Sequence, residues 1–110
     1  GENTDPIGFE KSIANRSLNN KLCLVLGAGG SARAVVYALT HMQCEIGIYN
    51  RTRENAESLC SDLGVEATVL TEKTISEFIR FSQLVVNTTS LGQQKGEENN
   101  LIDYQLRSNQ

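Results

Sequence analysis

Three short clusters in this 110-residue chain hold the residue types and spacings that could do chemistry. The first is Gly27-Ala28-Gly29-Gly30-Ser31-Ala32, which follows an apolar run and has the G-x-G-x-x-G/A spacing. Gly27 lets the chain turn sharply, and Gly29 removes a side chain that would keep a diphosphate from the backbone. Ala32 is small enough for a helix to lie close against a strand. The free N–H groups that open such a helix, at the positive end of its dipole, suit an anion. The second cluster is Asn50-Arg51-Thr52-Arg53, and the third is Asn87-Thr88-Thr89. A domain that binds NAD normally ends its second strand in Asp or Glu, which holds the ribose hydroxyls. Here Asn50 has that place, and Arg51 next to it offers planar, always-charged donors that match a 2′-phosphate. NADP is therefore the expected cofactor. The plainer readings are a glycine turn that serves packing alone and arginines that line a solvated first helical turn. The second fits Arg51 poorly, because a cation at a helix N-terminus is unfavourable without an anion nearby.

The elements that must position these clusters are legible from periodicity. Residues 21–26 form a nearly continuous apolar run, as a central parallel strand covered on both faces requires. After the glycine turn, Ala32, Val35, Val36, Leu39 and Met42 make one apolar helical stripe. A second strand is expected at 45–50 and a helix at 52–63, with Ala56, Leu59, Cys60 and Leu63 inward and Gly64 ending it. A short strand follows at 67–70. Thr74 with Glu77 three residues on reads as a capping box for a short helix that turns Ile75, Phe78 and Ile79 inward. A fourth strand at 84–87 runs into the third cluster, 93–100 reads as a loop, and 101–106 as a last short helix. Upstream, Asp5 before Pro6 reads as the N-cap and first position of a helix, and Asn19-Asn20 as a turn. This alternation predicts an α/β fold with a doubly wound parallel sheet and right-handed crossovers. The ligand then lies at the carboxyl ends of the strands, where all three clusters converge.

Bulk properties narrow the function. The net charge of −3 gives no basic excess for nucleic acid, and no apolar run is long enough to span a bilayer. Three widely spaced cysteines, Cys23, Cys44 and Cys60, form no metal or redox motif; they fit a reducing cytoplasm, with Cys23 and Cys60 as small core residues. The single histidine, His41, falls in the last turn of its expected helix, where partial positive charge suits the dipole.

Together, four stretches resemble the shikimate dehydrogenase family. They are Gly1-x-Asn3-Thr4-Asp5-x-x-Gly8, the run Val25 to Ala34 around the glycine turn, Asn50-Arg51-Thr52 with Ala56, and Asn87-Thr88-Thr89-Ser90-Leu91-Gly92. They stand in the family's order and cover nearly the whole chain. The resemblance implies a Rossmann-type fold that is incomplete at its C-terminal end, with another strand expected after Gln110. Residues 1–20 would be a linker helix carrying the N-T-D segment, and residues 21–110 the NADP-binding domain. It also implies reversible reduction of 3-dehydroshikimate to shikimate, a step toward aromatic amino acids. Asp5 becomes the catalytic, substrate-binding aspartate, a role that a residue at a helix start can combine with capping. The lysine that pairs with it in the family comes from a preceding domain; Lys11 and Lys21 do not match it, so this chain alone is expected to bind cofactor without turnover. Departures from the family pattern are Asn55 for a second arginine, Ser90 for proline and Gln93 for methionine. The competing readings are a quinate-oxidising relative, a glutamyl-tRNA reductase domain with its similar glycine turn and Asn-Arg-Thr, and a nucleotide-sensing module without chemistry.

Overall fold

Among the described residues, six strands and four helices follow one another along the chain. The structure, a computed structural model, describes residues 2–89 and 101–107, the side chains of Glu2 and Asn3 excepted. Strands β1 (Glu2–Thr4), β2 (Leu22–Leu26), β3 (Glu45–Tyr49), β4 (Thr68–Val69), β5 (Ser82–Asn87) and β6 (Ile102–Leu106) form one sheet in the order β1-β6-β5-β2-β3-β4. The helices are α1 (Pro6–Ile13), α2 (Gly30–Leu39), α3 (Arg53–Leu63) and α4 (Ile75–Arg80). Strands β2 to β5 pair in parallel, and the order reverses at β2, with β3 on one side and β5 on the other.

Alternation along the strands builds two different faces. Cys23, Val25, Ile46, Ile48, Leu84 and Val86 face Phe9 and Ile13 of α1 and the Val35–Val36–Leu39 stripe of α2 in one buried cluster. Full burial of each large side chain there contributes about 1.5–3 kcal/mol. On the opposite face α4 packs against β3: a Cβ at Gly47 would lie 2.6 Å from the Phe78 ring, so the absence of a side chain lets that ring approach.

Local signals place the ends of the elements. Asp5 Oδ1 accepts a hydrogen bond from the Gly8 N–H at 2.7 Å, and Pro6 opens α1, as an N-cap and first helical position should. Gly64 ends α3 in the left-handed region at φ +64°, and Asn20 makes its turn at the same φ. Two expectations are corrected. Thr74 precedes α4 but its side chain caps nothing there; its hydroxyl instead accepts from the Thr71 N–H at 2.9 Å, so the local turn takes the oxygen that a capping box would use. Residues 101–106, expected as a helix, contain β6. Ile102 and Tyr104 are buried while Asp103 and Gln105 are exposed, the period of a strand, and both edges of β6 are paired, antiparallel to β1 and to β5. The sheet is therefore mixed at this side, and Tyr104 meets Phe9 edge-to-face at 5.1 Å. The loop expected at 93–100, and Ser90-Leu91-Gly92 of the third cluster, lie outside the described residues.

Candidate nucleotide-binding site

The carboxyl ends of β2, β3 and β5 enclose a cavity of about 600 Å³ lined by Leu26, Gly27, Tyr49, Asn50, Arg51, Ile75, Asn87 and Thr89. All three clusters contribute to it. Register explains why. Tyr49, Leu26 and Asn87 are direct neighbours across β3, β2 and β5, so the residues that follow each leave the sheet at one level.

The glycine turn is held from both sides. Gly27 N–H donates to the Tyr49 carbonyl at 2.8 Å, and the Leu26 carbonyl accepts from Thr88 N–H at 2.9 Å. Gly27 adopts φ +110°, which a residue with a Cβ would resist. Gly29 is the N-cap of α2 and brings no side-chain acceptor to the amides that follow, so the N–H groups of Gly30, Ser31 and Ala32 lack partners within the helix. A Cβ built on Gly29 or Gly30 would meet nothing within 4 Å. This open approach to uncapped amides fits a phosphate group, and Ala32 beneath it is fully buried.

Beside β3, the Asn50 side-chain N–H donates to the Thr52 carbonyl at 2.8 Å and closes a turn around the exposed Arg51. Arg51 makes no ion pair among the described residues. Arg53, by contrast, is engaged along α3, its Nε 3.1 Å from Glu57 Oε2. Among the described residues the two arginines are thus not equivalent: Arg51 lines the cavity without an ion-pair partner, and Arg53 is partnered along its helix. Thr52 caps the start of α3 without a side-chain bond. In the third cluster, Asn87 Oδ1 accepts from both the N–H and the hydroxyl of Thr89, at 2.9 and 2.6 Å, while the Thr88 hydroxyl turns back to the Leu26 carbonyl at 2.7 Å.

Asp5 lies at the same edge without lining the cavity. Strand β1 is antiparallel to β6, which is antiparallel to β5, so β1 runs with β5, and Asn3, Asp103 and Asn87 are aligned across them. Asp5, two residues beyond Asn3, therefore leaves the sheet level with Thr89, Ala28 and Arg51. Between β1 and β2 lie three strand spacings, ~14 Å.

Three lining residues, Leu26, Tyr49 and Ile75, were not foreseen. The first two end their strands, and the register signals them once the strands are known. Ile75 opens α4 and carries no polar signature. His41 is at the far end of α2 from the glycine turn, its Nδ1 3.0 Å from the Tyr37 carbonyl and its ring edge-to-face with Tyr37. The three cysteines are unbridged; Cys23 is buried, while Cys44 and Cys60 are partly exposed. The Cys23 thiol, hydrogen-bonded to Cys44 and buried, is pushed well above the usual thiol range, and the same bond pulls Cys44 below it. Among the described residues, no group of three or more His, Cys, Asp or Glu could hold a metal ion, and no helix is long and apolar enough to cross a membrane.

Comparison with known proteins agrees with this geometry. The family model for shikimate / quinate 5-dehydrogenase matches residues 9–104. A shikimate dehydrogenase (NADP(+)) from Methanothrix thermoacetophila is 39% identical over 99 residues, covering 88% of this chain and 36% of that protein. The crystal structure of shikimate dehydrogenase from Aquifex aeolicus superposes with a TM-score of 0.62 at 38% identity, over 88% of this chain and 36% of its own. The Thermus thermophilus enzyme, solved in complex with NADP(H) and shikimate, gives a TM-score of 0.58 at 35% identity, over 82% of this chain and 33% of its own. The chain thus spans just over a third of the length of the curated relatives it matches. On the strength of its α/β sheet, its uncapped glycine turn and a match across nearly all its residues, the chain belongs to the shikimate / quinate 5-dehydrogenase family.

Proposed function

We propose that the chain forms the NADP(H)-binding part of a cytoplasmic shikimate dehydrogenase, which reversibly reduces 3-dehydroshikimate to shikimate on the way to aromatic amino acids. Residues 21–110 hold the dinucleotide, and residues 1–20 bring Asp5 to the ring substrate. The observation that carries this reading is the shared level at which Arg51, Ala28, Thr89 and Asp5 leave the sheet.

The amides of Gly30, Ser31 and Ala32, reached over the open side of Gly29, hold the diphosphate. Arg51 holds the 2′-phosphate, with the Thr52 hydroxyl beside it; Arg53, committed to Glu57, contributes little. Ile75 offers the adenine an apolar surface. Asn87 and Thr89, locked to one another, stand on the side toward β1 and orient the nicotinamide half. NADPH, when bound, supplies the hydride. Asp5 keeps Oδ1 on the Gly8 N–H and has Oδ2 to hold a proton at the substrate hydroxyl.

The test is shikimate-dependent NADPH formation by the protein carrying this chain in its natural sequence context, with quinate as the comparison substrate. Replacement Asp5→Asn should leave NADPH binding within about twofold and lower kcat by ~10²-fold or more, the usual contribution of a positioned acid or base. Unchanged turnover in D5N would refute the role given to Asp5, and absence of NADPH binding would refute the reading as a whole.

A further inference from the structure

The third cluster divides in its direction. Asn87 and Thr89 line the cavity, whereas Thr88 between them does not. Its hydroxyl donates to the Leu26 carbonyl at 2.7 Å, and its N–H donates to the same oxygen at 2.9 Å. These two bonds join positions 62 residues apart and fix the last peptide before the glycine turn to the end of β5. From the other side, the Gly27 N–H is tied to the Tyr49 carbonyl at 2.8 Å. The Leu26–Gly27 peptide is therefore clamped between both neighbouring strands. A Cβ built on Gly27 would lie 2.4 Å from Thr88 Oγ1, so the hydroxyl occupies the space that a side chain at position 27 would need.

We propose that Thr88 is a positioning residue for the diphosphate rather than a contact to the cofactor: its hydroxyl sets where the glycine turn sits and, through it, where the amides of α2 point. The inference rests on the NADP(H) reading above. The chemistry is sensitive to a single atom. In Thr88→Val a methyl replaces the hydroxyl 2.7 Å from a carbonyl oxygen, where carbon–oxygen contact needs ~3.3 Å, so the turn must withdraw. Arg51 is mounted two residues beyond Tyr49 at the end of β3, and the Thr88 hydroxyl bonds the Leu26 carbonyl rather than that strand.

The experiment compares the binding of NADPH and of adenosine 2′-monophosphate, which has the 2′-phosphate but no diphosphate, to wild type, T88V and T88S. T88V should bind NADPH about tenfold more weakly, equivalent to ~1.4 kcal/mol, and adenosine 2′-monophosphate within about twofold. T88S, which keeps the hydroxyl, should match wild type for both ligands. Should T88V not fold, T88A, which removes the hydroxyl without adding bulk, should weaken NADPH alone by about threefold, the size of one modest hydrogen bond. Wild-type affinity for NADPH in the variant, an equal loss for both ligands, or a T88S as weak as T88V would each overturn the inference and leave the nucleotide reading standing. A wild type that binds neither ligand would overturn both.

Discussion

Arg51 is the residue on which cofactor choice should turn. It stands at the cavity with no ion-pair partner among the described residues, and the neighbouring cation that could replace it, Arg53, is bonded to Glu57 at 3.1 Å. Opposite charges 4 Å apart in water attract by about 1 kcal/mol per unit charge. A phosphate monoester carries about −1.5 to −2 at neutral pH. The exposed guanidinium should thus be worth ~1.5–2 kcal/mol toward the 2′-phosphate, within the range of hydrogen bonds to charged groups. Replacement Arg51→Ala should weaken NADPH by about ten- to thirtyfold and NADH by no more than about twofold, measured by fluorescence titration at low ionic strength. Because the site is solvated, the gap between the two cofactors should narrow in ~1 M salt, where screening acts within about 3 Å. An equal loss for NADPH and NADH, or a gap that salt does not alter, would refute the assignment of Arg51 to the 2′-phosphate.

Other outcomes follow from the same geometry. Asp5→Asn should change unfolding free energy by less than ~0.5 kcal/mol, because asparagine is as good an N-cap, while Asp5→Ala should cost ~1 kcal/mol in denaturant melts. Gly47→Ala should destabilise the fold by ~1–3 kcal/mol through contact with Phe78 and Leu70, and leave NADPH affinity unchanged, since that glycine lies outside the cavity. Near neutral pH, iodoacetamide should label Cys44 before Cys60 and leave Cys23 untouched. The Cys23 hydrogen bond lowers the Cys44 pKa and so raises its thiolate fraction, burial raises the Cys60 pKa and reduces its fraction, and Cys23 is inaccessible. Faster labelling of Cys60, followed by mass spectrometry, would contradict this.

Legibility in the sequence depended on how local each determinant is. Strands β2 and β5, the α2 stripe and the α3 stop at Gly64 are written in periodicity and in single residues with special backbone freedom, and all were found. The glycine turn was found for the same reason. Strand β6 was missed although Ile102-Asp103-Tyr104-Gln105-Leu106 alternates, because a run of five residues does not separate strand from helix until its neighbours are known. Those neighbours, β1 and β5, are about 100 and 20 residues away in sequence. The Thr74 capping box failed because a competing turn bond to Thr71 used the same oxygen, a choice between two local partners that spacing does not decide. Within the site, residue types identified Arg51 and Arg53 together, and the structure separates them by the cavity, which Arg51 lines and Arg53 does not, and by the i,i+4 contact of Arg53 with Glu57. Thr88 likewise looked like its neighbours, and its inward hydroxyl became visible only with Leu26 beside it.

The claim that the open amides of α2 hold a diphosphate is tested most directly by backbone ¹⁵N–¹H shifts during titration with NADPH and, separately, with adenosine 2′-monophosphate. NADPH should move the Gly29, Gly30 and Ser31 resonances furthest, while adenosine 2′-monophosphate should move those of Arg51 and Thr52 and leave the glycine turn still. Shifts that spare Gly29 to Ser31 when NADPH binds would contradict it.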